Sequence, residues 1–243
     1  MREIFPGSRD LTEDDLEARY AYRTPGRWLA VNFVSSADGA VTVDGRSASL
    51  STPADRVVYR LGNDLADVVL VGAGTAIAEG FEGMRPDARS AERRRRHGLE
   101  PIPPVAVVTT GRSLPPDAPV ITKAAVPTIV ITSAATDADL RAAWTTAGAD
   151  VVVAGTDDVD LPAALTALVG RGLPRIDCEG GPRLFASLLT AGVVDELRLT
   201  ISPFLVAGNA SRAAVGGSFD PARLTLESAI EDDGTLLLKY RVH

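Results

Sequence analysis

Glu179-Gly180-Gly181-Pro182 follows the short run Arg175-Ile176-Asp177-Cys178 and precedes Arg183-Leu184-Phe185. This order predicts a strand, a glycine turn and a helix opened by proline, whose missing N–H has no intrahelical partner at the first helical position. Gly180 and Gly181 carry no Cβ, so a ligand can approach the backbone while the next N–H groups point at it along the helix axis. The junction can therefore hold an anion, and Glu179 sets a carboxylate at its mouth. The competing interpretation is a plain strand-to-helix turn with a surface glutamate.

A second junction has the same form. Leu65 to Val71 is a mostly apolar run that ends in Gly72-Ala73-Gly74-Thr75, after which Ala76 and Ile77 resume an apolar pattern. Ligands of open α/β sheets sit outside the carboxyl ends of the strands, so two such turns can flank one dinucleotide pyrophosphate. The third glycine of a dinucleotide fingerprint would fall at Ile77, and no Gly-Lys-Ser/Thr occurs. A phosphate-binding α/β enzyme outside both of those families is the expectation.

The elements that must position these turns read as alternating strands and helices. Thr12 with Asp15 forms a capping box for a short helix within residues 1–27, a polar extension that includes the loop Arg23-Thr24-Pro25-Gly26. Trp28 to Val34 is the first strand, closed by Ser35 to Gly39, and Ala40 to Val43 is expected to extend it to a turn at Asp44-Gly45. Thr52-Pro53-Ala54-Asp55 supplies N-cap, N1 proline and N3 acid for the next helix. Val105 to Thr109, Thr128 to Thr132 and Asp150 to Ala154 are β-branched runs expected as buried parallel strands. Helices should start near Thr136 or Asp137 and near Asp160. Glu196 to Pro203 and Leu236 to Val242 alternate differently, and Asp232-Asp233-Gly234 marks a hairpin turn, so antiparallel strands are expected at the C-terminal edge. Residues 28–243 are thus expected as one domain, an α/β fold of three layers around a mixed, mainly parallel sheet.

The chain has 243 residues, is 45% hydrophobic and carries a net charge of −7. That balance argues against a nucleic-acid surface, which needs clustered Lys and Arg. The single basic run, Arg93-Arg94-Arg95-Arg96-His97, is expected as a solvated helix end or mobile loop, with a phosphate-guiding patch as the alternative. Cys178 is the only cysteine, so no disulfide can form within the chain, and neither a thiol-ligated metal centre nor the zinc-deaminase elements are present. His97 and His243 receive no catalytic role. No apolar run approaches the roughly 18 residues of a membrane span, and no leader is recognised, so a cytoplasmic protein without membrane partners is expected.

Asn32 through Gly39, Thr52 through Arg56, Asp67 through Thr75, Glu179 to Pro182 and Asp195-Glu196-Leu197, in that order, resemble the motifs of the riboflavin-biosynthesis pyrimidine reductases. The resemblance runs from about Trp28 to Val242. It implies a dihydrofolate-reductase-like fold and NADPH-dependent reduction of a phosphorylated small molecule, 5-amino-6-ribosylaminouracil 5′-phosphate, to its ribitylamino product. It further implies that Gly72, Gly74, Thr75, Gly180, Gly181 and Leu184 hold the pyrophosphate, and that Thr109, Arg112, Thr132 and Ser133 meet the adenosine 2′-phosphate. On the substrate side it implies Asp38 and Glu179 as acids, with Asn32, Ser36, Arg56 and Arg85 as binding residues. A homodimer joined near the C-terminal strands is the expected assembly.

The chain departs from this pattern at three positions. Asn32 stands where bifunctional relatives carry Lys, Asn63 where many carry Arg, and Glu79 where Asp is usual. A pteridine or dihydrofolate-type reductase, or a non-catalytic nucleotide-binding module, therefore stays open beside the riboflavin reductase.

Overall fold

The structure, a computed structural model, describes residues 1–23, 25–217 and 220–243. Thr24, in the loop expected after the first helix, lies outside the described residues.

The chain opens with β1 (Arg2–Phe5) and β2 (Arg9–Asp10), then α1 (Glu13–Tyr20), β3 (Trp28–Ser36) and α2 (Pro53–Leu65). Strands and helices then alternate as β4 (Val68–Gly72), α3 (Ala73–Ala78), α4 (Ala88–Arg96), β5 (Val105–Val108), α5 (Pro119–Thr122), β6 (Ile129–Thr132), α6 (Ala138–Thr146), β7 (Asp150–Val153) and α7 (Leu161–Gly170). After β8 (Arg175–Cys178) and α8 (Pro182–Thr190) come β9 (Glu196–Ser202), β10 (Leu224–Asp232) and β11 (Thr235–Val242). The described strands form one sheet of order β2-β1-β10-β11-β9-β3-β8-β4-β5-β6-β7. Every pairing from β9 through β3 to β7 is parallel. The pairs from β2 to β9 on the other side are antiparallel. The mixed sheet expected from the sequence is what forms.

Strand alternation divides the core. Leu29, Val31, Leu70, Ile131, Ile176 and Cys178 face α7 and α8 in one cluster. On the other face, Val71, Val107 and Val130 pack with Trp144 of α6, while Ala30 meets Val58, Leu61 and Leu65 of α2. Parallel strands apolar on both faces are the pattern of a sheet covered by helices on both sides. In β8, Asp177 interrupts this rule on the α2 face.

The helix starts follow their local chemistry. Thr12 accepts from Asp15 N while Asp15 accepts from Thr12 N, the capping box read from the sequence. Thr52 caps α2 with Pro53 in its first turn. Two expectations are corrected. Ala40 to Val43 adds no strand residues; a single bridge, Val43 with Arg46, closes a loop there. The basic run does end a helix, α4, with Arg95, Arg96 and His97 exposed, but Arg93 and Arg94 are buried rather than solvated. Arg93 Nε donates to Glu17 at 2.9 Å, and Arg93 also pairs with Asp64. Arg94 Nη1 donates to the carbonyls of Asn63, Asp64 and Ala66 at 3.1, 3.1 and 2.8 Å, and its Nε donates to Glu100 O at 2.7 Å. Of these carbonyls at the end of α2 only that of Asn63 has a backbone donor, Ala66 N at 3.4 Å, and the Arg94 cation supplies the rest. Among the described residues no helix is long and apolar enough to cross a membrane.

Candidate active site

The carboxyl ends of β3, β4, β5 and β8 open onto two adjoining clefts. The first, about 680 Å³, is lined by Asn32 of β3, Asp55, Arg56 and Tyr59 of α2, Glu79 and Glu179 among others. The second, about 820 Å³, is lined by Gly72, Thr109, Thr110, Ser113, Arg183 and Leu184 among others. Gly74, Thr75, Gly181 and Pro182 line both. The two glycine turns recognised in the sequence therefore meet at the shared wall.

Their junction is tight. Gly72 N donates to Gly180 O at 2.8 Å. Gly180 has φ +80°, and a Cβ there would come within 2.9 Å of the Phe33 ring. A Cβ on Gly181 would overlap the Thr75 hydroxyl, whereas one on Gly74 would meet nothing within 4 Å. The peptide bond between Gly180 and Gly181 is cis. Gly181 is the N-cap of α8 and offers no side-chain acceptor, so the N–H groups of the first turn face the second cleft uncapped. Hydroxyls, a helix N-terminus and the Arg183 guanidinium suit a phosphorylated nucleotide there, beside one opposing carboxylate, Asp158.

Glu179 is half-buried in the first cleft. Asn63 Nδ2 donates to its Oε1 at 3.1 Å, and Asn32 lines the same cleft. Burial, and then the nearby Asp177 carboxyl, push Glu179 well above the usual carboxylate range. Of the three departures from the family pattern, Asn63 thus bonds this carboxyl and Asn32 lines the cleft it faces. The third, Glu79, accepts from Ser47 N at 2.9 Å and Ser47 Oγ at 3.0 Å, holding the loop above the same cleft.

The other expected site residues are placed differently. Asp38 is exposed and outside the cleft walls; it accepts from Ser36 Oγ at 2.5 Å, Ala207 N at 2.7 Å and Val206 N at 3.2 Å. The Ser36 hydroxyl first, and then those amides, lower its carboxyl to about 2. Ser36 is buried and anchors this turn. Arg56 lines the first cleft, while Arg85 is exposed and donates to Lys123 O at 2.9 Å. Thr109 lines the second cleft, but the Thr132 hydroxyl donates to Thr109 O and the Ser133 hydroxyl to Asp157 O. Arg112 is exposed and is not part of either wall. Arg183, Tyr59 and Asn63 were not assigned from sequence. Arg183 could have been, since it directly follows the proline that opens the anion-binding helix. Asn63 and Tyr59 could not, because only the approach of α2 to the end of β8 brings them to Glu179.

The described residues contain no group of three or more His, Cys, Asp or Glu arranged to hold a metal ion. The chain is 32% identical over 221 residues to the 2,5-diamino-6-ribosylamino-4(3H)-pyrimidinone 5′-phosphate reductase of Methanothermobacter thermautotrophicus, covering 88% of this chain and 98% of that protein. It is 30% identical to the protein of the same name from Archaeoglobus fulgidus, over 78% and 86% of the two chains. The crystal structure of a pyrimidine reductase-like protein from Corynebacterium diphtheriae superposes with a TM-score of 0.76 at 25% identity, covering 89% of this chain and 92% of that one. Residues 27–238 match the RibD C-terminal domain, and the chain belongs to that family.

Proposed function

We propose that this chain is an NADPH-dependent reductase of riboflavin synthesis that reduces the ribosylamino group of a phosphorylated aminopyrimidine. The observation that carries this reading is the meeting of two clefts at Gly74, Thr75, Gly181 and Pro182, one cradled by glycines and a helix N-terminus, the other holding Glu179. In this reading the second cleft takes the coenzyme, with the uncapped turn of α8 on the pyrophosphate and Arg183 on a phosphate. A bound nicotinamide supplies the hydride. Glu179 then faces the reacting bond as proton donor, Asn63 fixes its orientation, Asn32 meets the substrate beside it, and Arg56 serves the substrate phosphate. Asp38 ties the end of β3 to residues 206 and 207 and so shapes the rim of the pocket.

Two pyrimidines compete for the role of substrate. The sequence resemblance implied the 5-amino-uracil compound, whereas the relatives at 32% and 30% identity are named for the 2,5-diamino-pyrimidinone. The latter is our first choice. The protein is further proposed to act in the cytoplasm as a homodimer, a reading supported by the exposed apolar pair Phe204 and Leu205, the latter 81% exposed.

The test is an NADPH-oxidation assay on the purified chain with both ribosylaminopyrimidine phosphates and with dihydrofolate. Turnover of the diamino compound is expected, with none of dihydrofolate. Turnover of dihydrofolate alone would assign the rival reductase, and coenzyme binding without any turnover would make the chain a nucleotide-binding module.

A further inference from the structure

Beneath Glu179 lies a carboxyl that the reaction above does not use. Asp177, two residues earlier on the same face of the strand, is fully buried. Among the described residues neither of its oxygens has a partner at full hydrogen-bonding geometry; the Tyr22 hydroxyl and the Glu179 carboxyl lie near enough to lower it, but less than burial raises it. The nearest cation, Arg198 on β9, stays 3.7 Å away. That guanidinium is engaged elsewhere: Nε donates to Glu196 at 2.7 Å, Nη2 to Tyr20 O at 3.0 Å and Nη1 to the Tyr22 hydroxyl at 3.4 Å. It is also stacked between the rings of Tyr20 and Tyr22, 5.3 and 4.7 Å from their centroids. Glu196 receives Arg198, Lys239 at 3.4 Å and Trp28 Nε1 at 3.2 Å, so both buried cations serve it. From α2, Asp55 and Tyr59 add no positive charge. Room for Asp177 exists because residue 62 is glycine; a Cβ there would overlap its Oδ2 and lie 3.0 Å from Arg198 Nη1.

Two carboxyls side by side in such a site cannot both ionise without hydrogen-bond donors or cations to compensate them, and the economical state has one proton between them. Glu179 has an amide donor on Oε1, which suits the carbonyl oxygen of a protonated carboxyl and leaves Oε2 to carry hydrogen towards the cleft. We propose that Asp177 is a positioning residue that makes Glu179 the proton donor: the pair shares one proton, and it resides on Glu179, facing the first cleft. This rests on the reductase reading only for the destination of the proton. As the C=N bond of the open-chain substrate is reduced, its carbon takes hydride and its nitrogen takes the Glu179 proton. The Glu179 O–H bond breaks, an N–H bond forms, the coenzyme is left oxidised, and water reprotonates the carboxylate.

Infrared difference spectroscopy of the free protein tests this without substrate, through the C=O stretch of a protonated carboxylic acid. The band is expected at pH 7 in the wild type, absent in Glu179→Gln, and titrating about one pH unit or more lower in Asp177→Asn, where the like charge is gone. The basic limb of the kcat profile should move down by the same amount in Asp177→Asn while coenzyme Kd stays unchanged. A band that survives Glu179→Gln would place the proton on Asp177 and overturn the proposal. So would an unmoved midpoint in Asp177→Asn. Should that variant not fold, stability from pH 5 to 8 decides: Glu179→Gln must gain on the wild type as pH rises, and parallel curves refute the shared proton. If the band behaves as expected but no pyrimidine is reduced, the reductase reading falls and the shared proton stands.

Discussion

At the scale of single residues, the two glycines of the shared wall differ in what they permit. Gly181 is held against Thr75, so any side chain there disturbs folding and binding together. Gly74 stands in α3 with open space around its missing Cβ and lines both clefts. Gly74→Val should therefore keep its thermal midpoint while losing coenzyme affinity, since the new methyls occupy ligand space. Calorimetric titration beside a melting curve checks this, and unchanged affinity would remove the shared wall from the coenzyme site. Arg183 and Arg112 form a second discriminating pair. Only Arg183 lines the second cleft. Removing one charged partner of a phosphate costs about 1.5–3 kcal/mol, roughly tenfold to a hundredfold in affinity. Arg183→Ala should show that loss for NADPH, and Arg112→Ala should bind like the wild type. The reverse ranking would return the 2′-phosphate to the Thr109 to Arg112 turn.

At the scale of elements, the caps and the alternation were legible because they are local: Thr12 with Asp15, Thr52 with Pro53, and the β-branched runs each carry their own cause. The basic run is a helix end as expected, but the burial of Arg93 and Arg94 was hidden for the opposite reason. Four arginines in a polar stretch look solvated until the end of α2 arrives with unsatisfied carbonyls, and that encounter is tertiary. Likewise β1 and β2 are too short to declare themselves, yet β1 pairs with β10 and covers the edge on which the argument for a dimer through uncovered C-terminal strands relied. At the site, the glycine turns were readable, whereas Asp177 looked like one more residue of a strand, and its importance comes from Gly62 and Arg198, far away in sequence. The clamp at α4 gives a sharp test. Arg94→Met strips the donor from four carbonyls and should cost on the order of 3 kcal/mol or more in unfolding free energy. Arg95 pairs with Glu92 at the surface, its side chain 73% exposed, so Arg95→Ala should change stability by less than about 0.5 kcal/mol. Urea denaturation of both variants compares them directly, and equal losses would deny the clamp.

At the scale of the whole molecule, assembly and pH response are linked to what the fold buries. Light scattering at micromolar concentration should give a dimer mass that Leu205→Asp reduces to a monomer, because a charge on the most exposed large apolar side chain among the described residues would oppose its burial against a second copy. A monomer mass in the unaltered chain would withdraw that assembly. The pH dependence follows from carboxyls of two kinds. Glu196, despite burial, lies below its ordinary range because Arg198 and Lys239 face it, and the Ser36 hydroxyl and the amides of Ala207 and Val206 do the same for Asp38. Groups lowered in this way stabilise the fold above their unfolded pKa, and that contribution disappears as pH falls through the folded value. Asp177 is raised to about 6 by burial, Glu179 is raised well above its ordinary range, and Asp55 and Asp195 are raised as well, each chiefly by burial. For these the folded state binds more protons than the unfolded one once pH exceeds about 4, so stability declines as pH climbs towards their folded values. The two trends oppose each other, which places the maximum of stability on the mildly acidic side of neutrality. Urea midpoints measured from pH 4 to 8 should peak near pH 5 and fall towards pH 8. A plateau extending from pH 5 through pH 8 would mean that the buried carboxyls find in solution the donors that the folded arrangement denies them.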